Sequence, residues 1–126
     1  MWVFLDLFFV VFHATLILFV LAGWAWRPLR RLHLLVTASV LISWFGLGVL
    51  YGVGYCPSTD WHWRVKQELG QTNLPRSWVK YYLDRTTPWD WDPFAVDLLV
   101  VAIGLAAFAA AVWSNRDLRP GRKPPV

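Results

Sequence analysis

The sequence predicts an all-α integral membrane protein, and three observations predict it. Hydrophobic residues make up 57% of the 126 positions and charged residues only 16%, so there is too little polar surface to cover a soluble globule of this length. Three runs are long enough to cross a bilayer: Val3 to Trp26, interrupted only by Asp6; Leu32 to Tyr55, with no carboxylate, lysine or arginine; and Phe94 to Trp113, interrupted only by Asp97. A crossing takes about 20 apolar residues at about 1.5 Å each, and over such a length only a helix satisfies every backbone group. Third, charge is unevenly placed. The short loop RPLRR and the tail NRDLRPGRKPPV hold seven of the twelve basic residues against one acid, Asp117.

The first run, helix 3–26, is read as a retained span. A cleaved signal peptide carries Lys or Arg before its apolar core, whereas here Asp6 comes first and Arg27, Arg30 and Arg31 follow. These arginines are the predicted inner-face anchors, because basic residues flanking spans mark the cytoplasmic side. The N-terminus is therefore expected outside and the C-terminus inside. The second helix is expected over 32–55 and the third over 94–113.

Residues 56–93 form the expected external cap. Ser58, Thr59 and Asp60 offer N-cap oxygens before WHWRVKQELG, in which Trp61, Val65 and Leu69 recur every four residues and Gly70 is placed to end the helix. After Pro75, RSWVKYYLDR sets Trp78, Val79, Tyr82 and Leu83 on one face and Arg76, Lys80 and Asp84 on the other. Two short amphipathic helices lying along the membrane surface follow, with Trp61, Trp63, Trp78, Trp89 and Trp91 as interfacial anchors at headgroup depth. Residues 1–114 then make one membrane domain and 115–126 a basic cytoplasmic tail without apolar period. The overall charge of +4 is a topology signal, and the lipid bilayer is the expected partner; nothing suggests nucleic acid.

Ionisable groups within spans are functional candidates by default. Asp6 and His13 are seven residues apart and share a helix face, and Asp97 enters the third span from the same side. A buried polar cluster of Asp6, His13 and Asp97, with Thr15 as a bridging hydroxyl, is expected near the outer leaflet. A haem held by two histidines is excluded, since His33 lies near the inner boundary about 20 Å from His13 in depth. Ligation of a haem or chlorophyll-type pigment by His13 alone is the alternative cofactor reading; no cofactor is predicted. No metal site is predicted either, because Cys56 and His62 offer two ligands where three or four are usual. A lone thiol has no internal disulfide partner, and no serine or threonine of the second span has a base beside it.

Small residues carry a different signal. Gly48 and Gly52 stand in GxxxG spacing and Gly104 lies in an alanine-rich surface of the third span, the pattern that lets helices approach closely.

The stretches FHATLILFVLAG, RLHLL and GYCPSTDWHWRVKQELG followed by SWVKYYLDR resemble, in order and spacing, an uncharacterised family of small bacterial inner-membrane proteins. That family has a histidine in helix one, a Leu-His step at helix two and a Cys-Pro-x-Thr corner. Trp61 or His62 stands where the family pattern has a glutamate. The resemblance implies location in a bacterial cytoplasmic membrane and implies no activity.

The functional expectation is a non-enzymatic accessory or scaffold subunit packing against other integral membrane subunits, as in a photosynthetic or respiratory assembly. The alternatives are a cofactor-contacting subunit using His13, and a small membrane enzyme or transporter built on Asp6, His13 and Asp97.

Overall fold

The computed structural model describes residues 1–52 and 54–116. Helix α1 spans Trp2–Ala22 and runs through a 3₁₀ turn, Gly23–Ala25, to complete the first apolar segment. A second 3₁₀ turn, Arg27–Leu29, reverses the chain. Pro28 suits its start, where no backbone N–H is required. The returning segment is not a uniform α-helix: α2 (Arg30–Ile42) passes into a π-helical turn, Ser43–Leu47, and ends as one short turn, α3 (Gly48–Tyr51). Helix α6 (Pro93–Ser114) is the third long helix. Asp92 caps it by accepting a hydrogen bond from the Ala95 N–H at 2.9 Å, with Pro93 in the first turn.

Three segments, Trp2–Ala25, Arg27–Tyr51 and Pro93–Ser114, are thus long and apolar enough to cross a membrane. The second stops four residues before the expected Tyr55. The backbone at Gly52 has φ +104°, a conformation that suits glycine and breaks the helix, and the Gly54 N–H then turns back to the Trp44 carbonyl at 3.1 Å. The Ser43 hydroxyl donates to the Tyr55 carbonyl at 2.9 Å. The extra residue of the π turn and this returning corner fix each other.

Between the second and third long helices lie α4 (Pro57–Glu68) and α5 (Trp78–Thr86). Helix α4 begins earlier than expected: Cys56, rather than Ser58, Thr59 or Asp60, is the N-cap residue, because Pro57 already has the dihedral of a first helical position. Gly70, at φ +85°, follows its end, and Ser77 caps α5 by accepting from the Lys80 N–H at 3.3 Å.

Packing is most extensive between α2 and α6, and α4 lies on α1. Gly104 serves the first contact. A methyl group there would sit 2.5 Å from the Trp44 ring, so the indole of the π turn lies against the bare backbone of α6. Gly48 is buried within the short α3, whereas Gly52 abuts the Arg76 guanidinium rather than another helix. At the far end of the bundle, Arg30 donates to the carbonyls of Trp24 (3.0 Å) and Ser114 (3.3 Å), while the Asn115 amide donates to the Arg30 carbonyl at 2.9 Å. These bonds use the carbonyls left open where helices end. Arg27 and Arg31 are exposed nearby. Of the expected basic tail, Asn115 and Arg116 are described; 117–126 lie outside the described residues.

Candidate functional site

The face that α4 turns toward α1 is not its apolar stripe. Trp61 is 57% exposed and Leu69 is exposed as well, while Thr59, His62, Val65 and Lys66 are buried. Positions 59, 62 and 66 follow helical spacing, so they form one polar line with Val65 beside it. The reason lies in α1. Asp6 places a carboxylate in an apolar run, where a charge is costly unless paired, and α4 supplies the partners. Asp6 Oδ1 accepts from His62 Nε2 at 2.8 Å and from Lys66 Nζ at 2.9 Å. Lys66 is only 4% exposed and its ammonium also lies 5.0 Å from the centre of the Tyr81 ring.

The charges respond as this geometry requires. Burial pulls Lys66 down, but the bond to Asp6 and the neighbouring Tyr82 and Tyr81 together hold its pKa above the ordinary value. Burial of His62 prevails over its bond to Asp6 and pushes its pKa below the ordinary value.

One turn-pair along α1, His13 meets the other end of the α4 line. Its Nδ1–H donates to the Phe9 carbonyl at 2.9 Å, which leaves Nε2 as an acceptor, and the Thr59 hydroxyl donates to it at 3.2 Å. The ring is held on both faces. It stacks on His62 at 5.8 Å and on Trp78 of α5 at 5.1 Å, with interplanar angles near 20°; Phe9 continues the column beyond His62.

Cys56 stands beside His13. Burial alone would raise its thiol pKa, but the neighbouring His13, Thr59 and Ser58 polar groups at the start of α4 bring it down to about 7. A helix N-terminus is among the surroundings that lower a thiol pKa.

His13, Cys56 and Thr59 also line one cavity of about 860 Å³. From this polar end it runs between α1, the α2–α3 segment and α6, and its walls become almost wholly apolar, with Leu16, Ile17, Val20, Val36, Val40 and Val101 among them. The volume lies in the range of about 300–1,000 Å³ typical of small-molecule sites. Asp97 is exposed and lines this cavity with His13, whereas Asp6 faces α4 and Thr15 is exposed.

Of the aromatic residues proposed as anchors, Trp63 and Trp78 take part in packing: Trp63 donates to the Pro75 carbonyl at 2.6 Å and lies against Tyr81. Trp61, Trp89 and Trp91 are exposed. At the other end of the bundle, His33 donates to the Val20 carbonyl at 2.8 Å and is fully buried against Gly23 and Phe19. Among the described residues, no group of three or more His, Cys, Asp or Glu could hold a metal ion.

Sequence reasoning missed Thr59, Lys66 and Cys56 as members of the site and left His62 without a partner. A signal existed: the polar line Thr59–His62–Lys66 spans seven residues, as does Asp6–His13, so two polar lines of equal length were available to pair.

Three helices with membrane-spanning length, a short helix pair between them and a polar centre where the two meet define the class: a small multi-pass helical membrane protein. The chain belongs to the family described as "Protein of Unknown function (DUF2784)", which it matches over residues 3–116. No curated protein and no solved structure matches it.

Proposed function

We propose that this protein binds an amphiphilic lipid within the membrane, its hydrocarbon chain in the apolar limb of the cavity and its polar group at His13, Cys56 and Thr59. The observation that carries this reading is the shape and chemistry of the cavity. It is bounded by three spans and lined mostly by apolar side chains, with His13, Cys56, Thr59, Arg76 and Asp97 among its polar residues. A site with apolar walls and a few convergent polar groups suits a ligand of the same division.

Binding of a fluorescent long-chain fatty acid by the purified protein in detergent tests it. Val36→Trp and Val101→Trp, each placing an indole in the apolar limb, are expected to weaken binding at least tenfold while leaving the helix content unchanged. Undiminished binding by both variants would overturn the reading.

The same reading places the protein in a bacterial cytoplasmic membrane with the N-terminus, α4 and α5 outside. In support, Arg27, Arg30, Arg31 and Arg116 gather at one end of the bundle, and the flanking-charge rule sets that end inside. Helices α4 and α5 then lie along the outer leaflet, with Trp61, Trp89 and Trp91 at its surface.

A second reading, an accessory subunit of a larger membrane assembly such as a photosynthetic or respiratory one, rests on the lateral face of α1, where Phe4, Leu7, Phe8 and Val11 are all exposed. It predicts co-migration with other integral membrane proteins after gentle solubilisation. Pigment ligation by His13 has less in its favour, since both faces of the ring and both nitrogens already have neighbours. An enzyme or transporter built on Asp6, His13 and Asp97 has less in its favour, since Asp6 is engaged by His62 and Lys66 of α4 while Asp97 lines the cavity.

A further inference from the structure

Cys56 is the chain's only cysteine, so no internal disulfide accounts for it, and among the described residues too few ligand residues surround it for a metal. Its surroundings are specific nonetheless. Its side chain lines the same cavity as an imidazole whose Nε2 is free of hydrogen, because Nδ1–H is committed to the Phe9 carbonyl at 2.9 Å. Trp78 and His62 stacked on the two faces hold that ring in place. Cys56 is the N-cap residue of α4, and the Thr59 hydroxyl of the same first turn donates to Nε2 of that imidazole at 3.2 Å. The cavity starts there and extends along α1 from His13 to Leu21, about 12 Å at about 1.5 Å per residue. A thiol nucleophile and an imidazole base lining one largely apolar cavity are parts of an acyl-transfer site.

We infer that Cys56 accepts the acyl group of a long-chain ester or thioester bound in this cavity, with His13 as the base. The inference rests on the lipid-binding reading above and names the ligand's reactive group. The Cys56 sulfur attacks the carbonyl carbon, and its proton passes to Nε2 of His13. The S–C bond forms, and the bond from the carbonyl carbon to the departing oxygen or sulfur breaks. His13 returns the proton to that leaving group, so an alcohol or thiol is released and a thioester remains on Cys56. No oxidation or reduction takes place.

The test incubates the full-length protein in detergent with two alkyne-tagged donors separately: a palmitoyl phosphatidylcholine and a palmitoyl thioester of coenzyme A. Intact-mass spectrometry and peptide mapping follow the label. The expected result is one acyl group on Cys56, removed by neutral hydroxylamine, from at least one donor; the donor that reacts identifies whether the acyl source is a membrane lipid or a soluble thioester. Cys56→Ala abolishes labelling. His13→Gln slows it at least tenfold and moves the pH midpoint of Cys56 alkylation by a small water-soluble reagent upward from about 7 toward the ordinary thiol value of about 8.5, a change that loss of packing alone does not produce. Thr59→Ser, which keeps the hydroxyl, retains the native midpoint.

Failure to label Cys56 from either donor, by a protein that binds the fluorescent fatty acid, would overturn acyl acceptance and leave lipid binding standing. Failure of both overturns both. Labelling at the same rate in His13→Gln, with an unmoved alkylation midpoint, would show a merely exposed thiol and also overturn the inference.

Discussion

His13 and His33 are buried to nearly the same degree, 4% and 0% exposed, and each donates one ring hydrogen to a carbonyl of α1. What surrounds them differs. His33 fills its space: a methyl group added at Gly23 would lie 2.9 Å from its Cδ2, and Phe19 lies edge-on at 5.6 Å. It joins the end of α1 to the start of α2. His13 instead has a thiol, a hydroxyl and an open cavity beside its accepting nitrogen, and an ion pair one ring further along. Burial of a histidine in a membrane helix therefore does not mark a site by itself. The state of the second nitrogen and the space next to it do.

The sharpest way to break the comparison is to remove the ion pair on which the His13 end rests. Asp6→Ala leaves the buried Lys66 ammonium and the His62 ring without their shared acceptor, and is expected to destabilise the protein by about 3–5 kcal/mol. Thermal unfolding in a mild detergent reads this. Replacing both partners, Asp6→Leu with Lys66→Met, is expected to recover most of the loss, because the cost is that of an uncompensated charge rather than of a missing contact. A double variant as unstable as Asp6→Ala would mean that α4 is held by the charge pair itself.

At the other end the corresponding change is steric. Gly23→Ala drives a methyl into the rings of His33 and Phe19, both at 2.9 Å. Overpacking of this kind costs about 1–3 kcal/mol. Cys56 alkylation in this variant is expected to keep its native rate and pH midpoint, since Gly23 lies ten residues, about 15 Å, along the first span from His13. A shifted midpoint would show that the ends are coupled through α1.

Acid separates the two regions further. His62, pushed down by burial and facing Asp6, Lys66 and His13, takes up a proton more readily in the unfolded chain than in the folded one. Its contribution to stability is therefore complete above its unfolded value of about 6.5 and declines as the pH falls below it. The slope attributable to one group is at most about 1.4 kcal/mol per pH unit. His62→Gln is expected to flatten the fall in unfolding temperature between pH 6.5 and 5, and an unchanged slope would assign the effect elsewhere.

These differences also show what could be read from the chain in advance. The three long helices were legible because each is a property of one long apolar run, and the end set by Gly70 was legible because caps act within a turn. The π turn was not, since Ser43–Leu47 has no local breaker and depends on Gly52, Gly54 and Tyr55 folding back on it. Nor was the inward face of α4. Local hydropathy favours Trp61 and Leu69 as its buried side, and the decision for His62 and Lys66 is made by Asp6, 56 residues before His62 in sequence. Asp6 and His13 could be singled out as costly residues, but cost alone does not name the partner.

The smallest predicted effect discriminates most finely between the two histidines, because each has a threonine hydroxyl at Nε2. At His33 that nitrogen carries the hydrogen and already gives it to the Val20 carbonyl at 2.8 Å, so Thr37, at 3.4 Å, accepts only a minor share. At His13 the nitrogen has no hydrogen, and Thr59 donates to it. Thr37→Val is therefore expected to change stability by less than about 0.5 kcal/mol, while Thr59→Val, which strips a donor from a buried acceptor, costs about 1 kcal/mol. Only Thr59→Val should also raise the pH at which Cys56 becomes reactive, since Thr59 is among the groups that favour its thiolate. If the two valine variants prove equal in both stability and thiol reactivity, the difference between the two ends does not lie in the accepting nitrogen.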